Sequence, residues 1–317
     1  TSIASSVFSL IFWSFGFLRM GTVGIVAQAH GSKQYDEVVN LVFRNIAFVI
    51  LISLLLIAFQ KYIFTISLSI FILSDDTTKY FKEYFDLRIY SSFGELIIYI
   101  ITGLFIGLQK TKISSLAVGF FSITNIIFSL LFVLYFDLNV QGVALGTVIS
   151  STLTAIIFLC YTFFELQKFT SIKINLAKIF NIKKIQNLFN INLDIFIRSA
   201  LLTFSFLFFT YLGNTISEEV VAANTILLNL IMLSGFILDA YAFSTEGIVG
   251  YSIGSKNKKL LTNVIKNSFI LSASTGLFIS LIFLVGKNNF ISIMTDLPDI
   301  KNLSISYSYW VVIIPFI

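Results

Sequence analysis

The chain has 317 residues, of which 57% are hydrophobic and only 12% charged, with a net charge of +5 and a mean hydropathy of +0.93. Soluble domains carry roughly 25% charged residues, so this composition excludes a soluble enzyme, a secreted disulfide scaffold and a disordered chain. The apolar runs are continuous rather than alternating, which argues against a β-barrel and points to an all-α integral membrane protein.

About nine spans can be placed in chain order, at 3–29, 40–60, 87–108, 113–136, 141–164, 191–212, 220–250, 264–286 and 303–317, the last incomplete. An amphipathic stretch at 62–73 follows the second span and lies at the interface or extends that helix. Basic residues alternate between the loops. Thirteen fall on one set, from Lys33 and Arg44 through Lys110, Lys168, Lys178 and Lys184 to Lys266, and five on the other, Lys61, Lys79, Lys82, Lys287 and Lys301. By the positive-inside rule the first set is cytoplasmic. The same rule accounts for the net positive charge without nucleic acid. The longest connection, 165–190, is then a basic cytoplasmic linker.

Residues 19–40 read RMGTVGIVAQAHGSKQYDEVVN and residues 242–263 read AFSTEGIVGYSIGSKNKKLLTN. At a constant offset of 223, as from Thr22 to Thr245, eight of the 22 positions are identical, with Gly31-Ser-Lys33 in register with Gly254-Ser-Lys256. Six spans separate the copies, so both have the same orientation. That predicts a parallel duplication about an axis along the membrane normal, an arrangement known for transporters. Its two lobes are 1–164 and 191–317, joined by the linker. Residue 1 is Thr and the chain closes on an apolar run, so the expectation is a fragment of a 6+6 bundle, comprising helices 2–10, with one helix preceding it and two following.

Charged groups inside a membrane cost at least ~2.5–3.5 kcal/mol at a helix centre and mark functional candidates. Asp239 lies 17 residues before Lys256, roughly 26 Å along a helix, and so near mid-membrane. Glu246 is seven residues on, on the same face, and Asn224 lies about 60° away at 100° per residue. This polar stripe reads either as the wall of a water-lined cavity whose carboxylates take a proton or cation, or as an interfacial acid plus a helix-pairing acid. Asp194 and Arg198 have the favourable i, i+4 order and form either a structural ion pair or a gate. Arg19 lies at a depth similar to the Asp239–Glu246 stripe but in the other lobe, with a cavity role and a partner in its own lobe both open. Arg88 and Glu95, seven apart, form another stripe, with Glu95 a second-ranked candidate for ion coupling in the substrate cavity and Arg88 expected to snorkel to the outer surface. Gly103/Gly107 and Gly142/Gly146 have the GxxxG spacing of close helix packing. His30 reads as a solvated residue and Cys160 as a small packing residue. One His and one Cys make no metal cluster, haem ligand pair or Cys/His catalytic site, so neither a metal nor a cofactor is expected. The phosphate-binding GxxxxGK[ST] loop is absent, so uphill transport would draw on an ion gradient, at about 3.5 kcal/mol per charge for 150 mV.

The sequence resembles the multidrug and toxic compound extrusion (MATE) family, and within it the DinF-like branch. The residues carrying this are FLRMGT at 17–22 with Ala27-Gln-Ala29, DIFIR at 194–198, AAN at 222–224, LDAYAF at 238–243, and Gly250 to Gly254. The resemblance implies a monomeric inner-membrane antiporter of bacteria, not an enzyme. It would export organic cations or other amphiphiles in exchange for H⁺ or Na⁺. In the DinF-like branch the acid most often credited with proton coupling lies on helix 1. Other branches use a glutamate in helix 7 for Na⁺, whereas residues 199–212 here contain no acid, which favours H⁺. Ala240 stands where the family usually has glycine. Two alternatives are a lipid-linked precursor flippase of the same superfamily, which would carry a more arginine-rich cavity, and a non-transporting membrane scaffold.

Overall fold

The computed structural model describes residues 2–70, 75–172 and 175–316, and its regular elements are helical throughout. They are α1 (Ser2–Ser14), α2 (Phe17–Gly31), α3 (Tyr35–Ala58), α4 (Gln60–Ile70), α5 (Asp75–Arg88), α6 (Ser92–Gly107), α7 (Thr111–Leu130), α8 (Asn139–Gln167), α9 (Leu176–Ile179), α10 (Ile182–Asn214), α11 (Glu218–Gly254), α12 (Lys258–Met294), α13 (Pro298–Tyr307) and α14 (Tyr309–Ile313). Eight helical stretches among the described residues are long and apolar enough to cross a membrane. Helices suit this setting because each backbone N–H and C=O finds its partner within the segment. Of the nine expected spans, 303–317 falls short, since Ser308 separates the short α13 from the five-residue α14. The amphipathic stretch at 62–73 is the α4 helix as far as Ile70, and residues 71–73 lie outside the described residues.

Two compact units emerge. Unit 1 comprises Thr1–Ile197 with Gly250–Lys256, and unit 2 comprises Arg198–Val249 with Asn257–Ile317. The axis of unit 1 is the span Thr77–Gly107, whose most apolar 18 residues are 78% buried, with Leu96, Ile97, Ile100, Leu104 and Phe105 enclosed. Both GxxxG pairs pack as expected. A Cβ on Gly103 would lie 2.6 Å from the Arg19 carbonyl, and one on Gly107 would lie 2.8 Å from Val26, which lets α2 lie directly on α6. Gly142 and Gly146 admit Phe132 and Ser129 in the same way. Outward surfaces are as apolar as the core: Leu116, Ile123 and Ile126 of α7 are exposed, as lipid contact requires. Cys160 is exposed too, rather than packed, because it lies on an outer face of α8. Unit 2 is centred on Ile226, Leu227, Leu230, Ile279, Phe283 and Val311, with the Tyr241 hydroxyl 2.8 Å from Thr275 Oγ1.

The internal repeat extends into three dimensions. In the first copy Thr22 Oγ1 bonds the Leu18 carbonyl and accepts from Asn45 Nδ2 at 2.9 Å. In the second, Thr245 Oγ1 bonds the Tyr241 carbonyl and lies 2.7 Å from Ser268 Oγ. Leu18, Thr22 and Asn45 correspond to Tyr241, Thr245 and Ser268 at the same offset of 223, so the clamp around the identical threonines is completed by partners outside the region of sequence identity. Both helices also end alike. Lys33 (φ 59°) and Lys256 (φ 54°) take the left-handed conformation, and the Ser32 and Ser255 amides return to the Gln28 and Tyr251 carbonyls. A β-branched side chain is strained there, so Lys256→Val is expected to lower stability by about 1–2 kcal/mol while Lys256→Gly stays near wild type, read from thermal unfolding in detergent.

Within unit 1 the end of α11 crosses α2 reciprocally. A Cβ on Gly31 would collide with the Tyr251 carbonyl, and one on Gly254 with the Gln28 carbonyl. Gly31 corresponds to Gly254 and Gln28 to Tyr251, while Ala27 and Gly250 correspond to each other and meet at the crossing. Because backbone blocks both sites, Gly31→Val and Gly254→Val are each expected to cost about 1–3 kcal/mol, with Gly24→Val, whose Cβ meets nothing, as the tolerated control. Equal stability of all three variants would show that this crossing is loose.

Candidate functional site

A charged cluster inside the span Thr77–Gly107 is built around Glu95. Arg88, at the end of α5, and Glu95, in the first turn of α6, are joined by a 3₁₀ turn, Ile89–Ser91. The seven-residue spacing and this turn bring the Arg88 guanidinium onto Glu95 Oε1 and Ser91 Oγ, with Ser91 Oγ 2.9 Å from Glu95 Oε1. Arg88 does not snorkel. It is buried, its guanidinium 5.3 Å from the Phe8 ring centroid and 5.2 Å from that of Phe12, both on α1. Two aromatic faces and a carboxylate replace the water that snorkelling would have supplied.

Glu95 borders two cavities. One, of about 300 Å³, is lined by Arg19, Glu95, Tyr99, Thr102 and Ser114 with Ile98, Ile106, Val118 and Phe121. The other, of about 620 Å³, is lined by Ser5, Ser6, Ser9, Phe12 and Trp13 with Arg88, Glu95 and Tyr99. Arg19 and Glu95, predicted separately from the sequence, therefore line one cavity of unit 1. Ser91 and Tyr99 escaped the sequence reading, although both stand one turn from Glu95, at i−4 and i+4. Phe8 and Phe12 carried no signal of their own, being ordinary apolar residues until the fold brings Arg88 between them.

The second candidate stripe is on α11. Asp239 is exposed and Glu246 half-buried, two turns apart on one face, while Asn224 is half-buried near the start of the helix, its Nδ2 3.3 Å from the Cβ position of Gly213. Asp194 and Arg198 stand one turn apart on α10, both exposed.

The lysine-rich loops of unit 1 hold a separate set of charges. Arg44, buried on α3, donates from Nε to the Ile179 carbonyl at 2.9 Å and from Nη2 to that of Lys178 at 3.0 Å, and pairs with Glu37 at 3.6 Å. Glu37 also meets Lys184 at 3.4 Å, and Thr170 donates to Asp36 at 2.5 Å. Glu165 takes Lys110 and Lys168 together, and its carboxylate holds the Lys168 ammonium above the usual lysine range. His30 is not simply solvated. Its ring packs among Tyr35, Phe169 and Tyr251, and its Nδ1 is buried without a hydrogen bond, because the α2–α11 crossing brings Tyr251 over it.

The MatE family profile matches residues 1–131 and 195–317 of this chain. DNA damage-inducible protein F of Escherichia coli (strain K12) is 26% identical over 316 residues, covering 100% of this chain and 69% of that protein. Among solved structures, a multidrug resistance MATE family transporter of the MOP superfamily in its outward-facing conformation aligns with a TM-score of 0.86 at 16% identity, over 99% of this chain and 72% of its own. A MOP superfamily transporter from Pyrococcus furiosus, described as having a binding pocket of reversed polarity, gives 0.85 at 17% identity, with coverage of 99% and 72%. These structures share the fold, and the profile covers most of the residues on both sides of the basic linker. The chain is a multi-pass membrane protein and belongs to the MatE family of transporters.

Proposed function

We propose that the protein is a secondary active antiporter of the bacterial inner membrane, exporting organic cations or amphiphilic compounds in exchange for H⁺. It works as a monomer by alternating access between lobes 1–164 and 191–317, with the 165–190 linker on the cytoplasmic side. The observation that carries this reading is the placement of Glu95, an acid within a span, between two cavities and against Arg88. A charge at such depth is retained at a cost, and it is useful where its state changes during the cycle. Protonation of Glu95 removes the charge that holds Arg88, so proton and substrate can favour different arrangements of the same cavity wall. Asp239 and Glu246 supply a second pair of carboxylates on α11. Sodium is the alternative ion, disfavoured by the lack of an acid at 199–212.

One observation favours a second reading. Arg19 and Arg88 outnumber Glu95 around the two cavities that Glu95 borders, which suits a substrate bearing an anionic group, as a lipid-linked precursor flippase would carry. Proteoliposomes with an imposed pH gradient distinguish the two. Uptake of a cationic dye that collapses with the pH gradient and ignores a sodium gradient supports the antiporter. Transport of an anionic amphiphile alone, insensitive to both gradients, overturns it in favour of the flippase.

A further inference from the structure

Between Glu165 and Asp194 the sequence contains five lysines and no acid. The described part of this stretch is held firmly. Asn175 Oδ1 accepts from the Lys178 amide and caps α9, and Asn181 Oδ1 accepts from the Lys184 amide at the start of α10. Buried Arg44 fixes the carbonyls between them, and Ile179 and Leu188 point inward, 3% and 5% exposed. With the backbone pinned, the remaining apolar side chains are forced outward: Leu176 is 65% exposed, Phe180 54% and Ile182 71%. Lys178 and Lys183 are exposed beside them. A polar loop at an aqueous boundary needs none of these three hydrophobic side chains, and orientation by the positive-inside rule needs only the lysines.

We propose that residues 175–189 form an interfacial pad that binds anionic phospholipid headgroups. Leu176, Phe180 and Ile182 enter the headgroup layer, and Lys178 and Lys183 pair with lipid phosphates. Mixed basic and apolar side chains on the short α9, the turn after it and the first turn of α10 are the chemistry of a surface-seated element, and an acid-free stretch complements an anionic leaflet. The orientation proposed above names the leaflet as the cytoplasmic one, but the lipid preference itself does not depend on it.

The test uses an environment-sensitive dye on Ile182→Cys in a Cys160→Ser background, reconstituted in lipid nanodiscs, which present both leaflets alike. Quenching by headgroup-spin-labelled phosphatidylglycerol is compared with quenching by spin-labelled phosphatidylcholine. The expected result is a preference for phosphatidylglycerol of at least about tenfold, weakened by 0.5 M salt. It should fall roughly fivefold for each of Lys178→Gln and Lys183→Gln until the two lipids are equal. Because those variants also touch the charges that orient the chain, the salt dependence is measured on the wild-type lysines as well. Equal quenching by the two lipids overturns the headgroup assignment. A dye already shielded in neutral detergent overturns the pad altogether, since protein then covers it. Neither result bears on transport, so failure here and failure of the antiporter reading are distinguishable.

Discussion

Asp239→Asn is expected to abolish, or reduce at least about tenfold, proton-driven efflux of a cationic dye, with insertion and folding retained. The substitution is nearly isosteric, so it removes the charge and the titratable proton and little else. Beyond the first turn α11 carries two acids, Asp239 and Glu246, and Asp239 is the one farther from the nearest end of the helix. The residue is exposed on the surface of unit 2, where a carboxylate without a task would cost at least ~2.5 kcal/mol against lipid. Efflux is read in cells producing matched amounts of the two proteins, with expression and monodispersity checked in detergent. Normal efflux by a well-expressed Asp239→Asn variant would make Asp239 structural and leave Glu95 as the seat of coupling.

Removing one partner from the Arg88–Glu95 pair is expected to be the most destabilising single change in unit 1. Arg88→Met leaves a carboxylate with Ser91 as its remaining neighbour in the network and vacates the space between Phe8 and Phe12. Breaking a buried pair in this way costs about 3–5 kcal/mol, whereas replacing both partners by apolar residues is often close to neutral. Thermal unfolding should therefore show a large drop for Arg88→Met, a smaller one for Glu95→Gln, whose amide oxygen still accepts from Arg88, and partial recovery in Arg88→Met/Glu95→Met. A double variant as unstable as the sum of Arg88→Met and Glu95→Met would show that the two side chains do not stabilise each other. The recovered variant also separates stability from activity: it should fold and fail to couple transport to the pH gradient.

Composition and periodicity by themselves determined the membrane class, the helical fold, the parallel repeat and the residues worth testing. A bilayer tolerates so few charges that Arg19, Glu95, Asp239 and Glu246 stand out in a sequence that is 57% hydrophobic. The GxxxG pairs were legible for the same reason, since spacing along one helix dictates which face can approach a neighbour. What joins different helices was not legible. Phe8 and Phe12 become partners of Arg88 only through the docking of α1 on α5, and Arg44 meets the carbonyls of Lys178 and Ile179 across more than 130 residues of chain. The Thr22–Asn45 and Thr245–Ser268 clamps show the limit most directly: Asn45 and Ser268 differ in type, so no identity marked them, yet each reaches the same threonine from the following helix. Helical periodicity reports the direction in which a side chain points, and tertiary packing decides what it meets there.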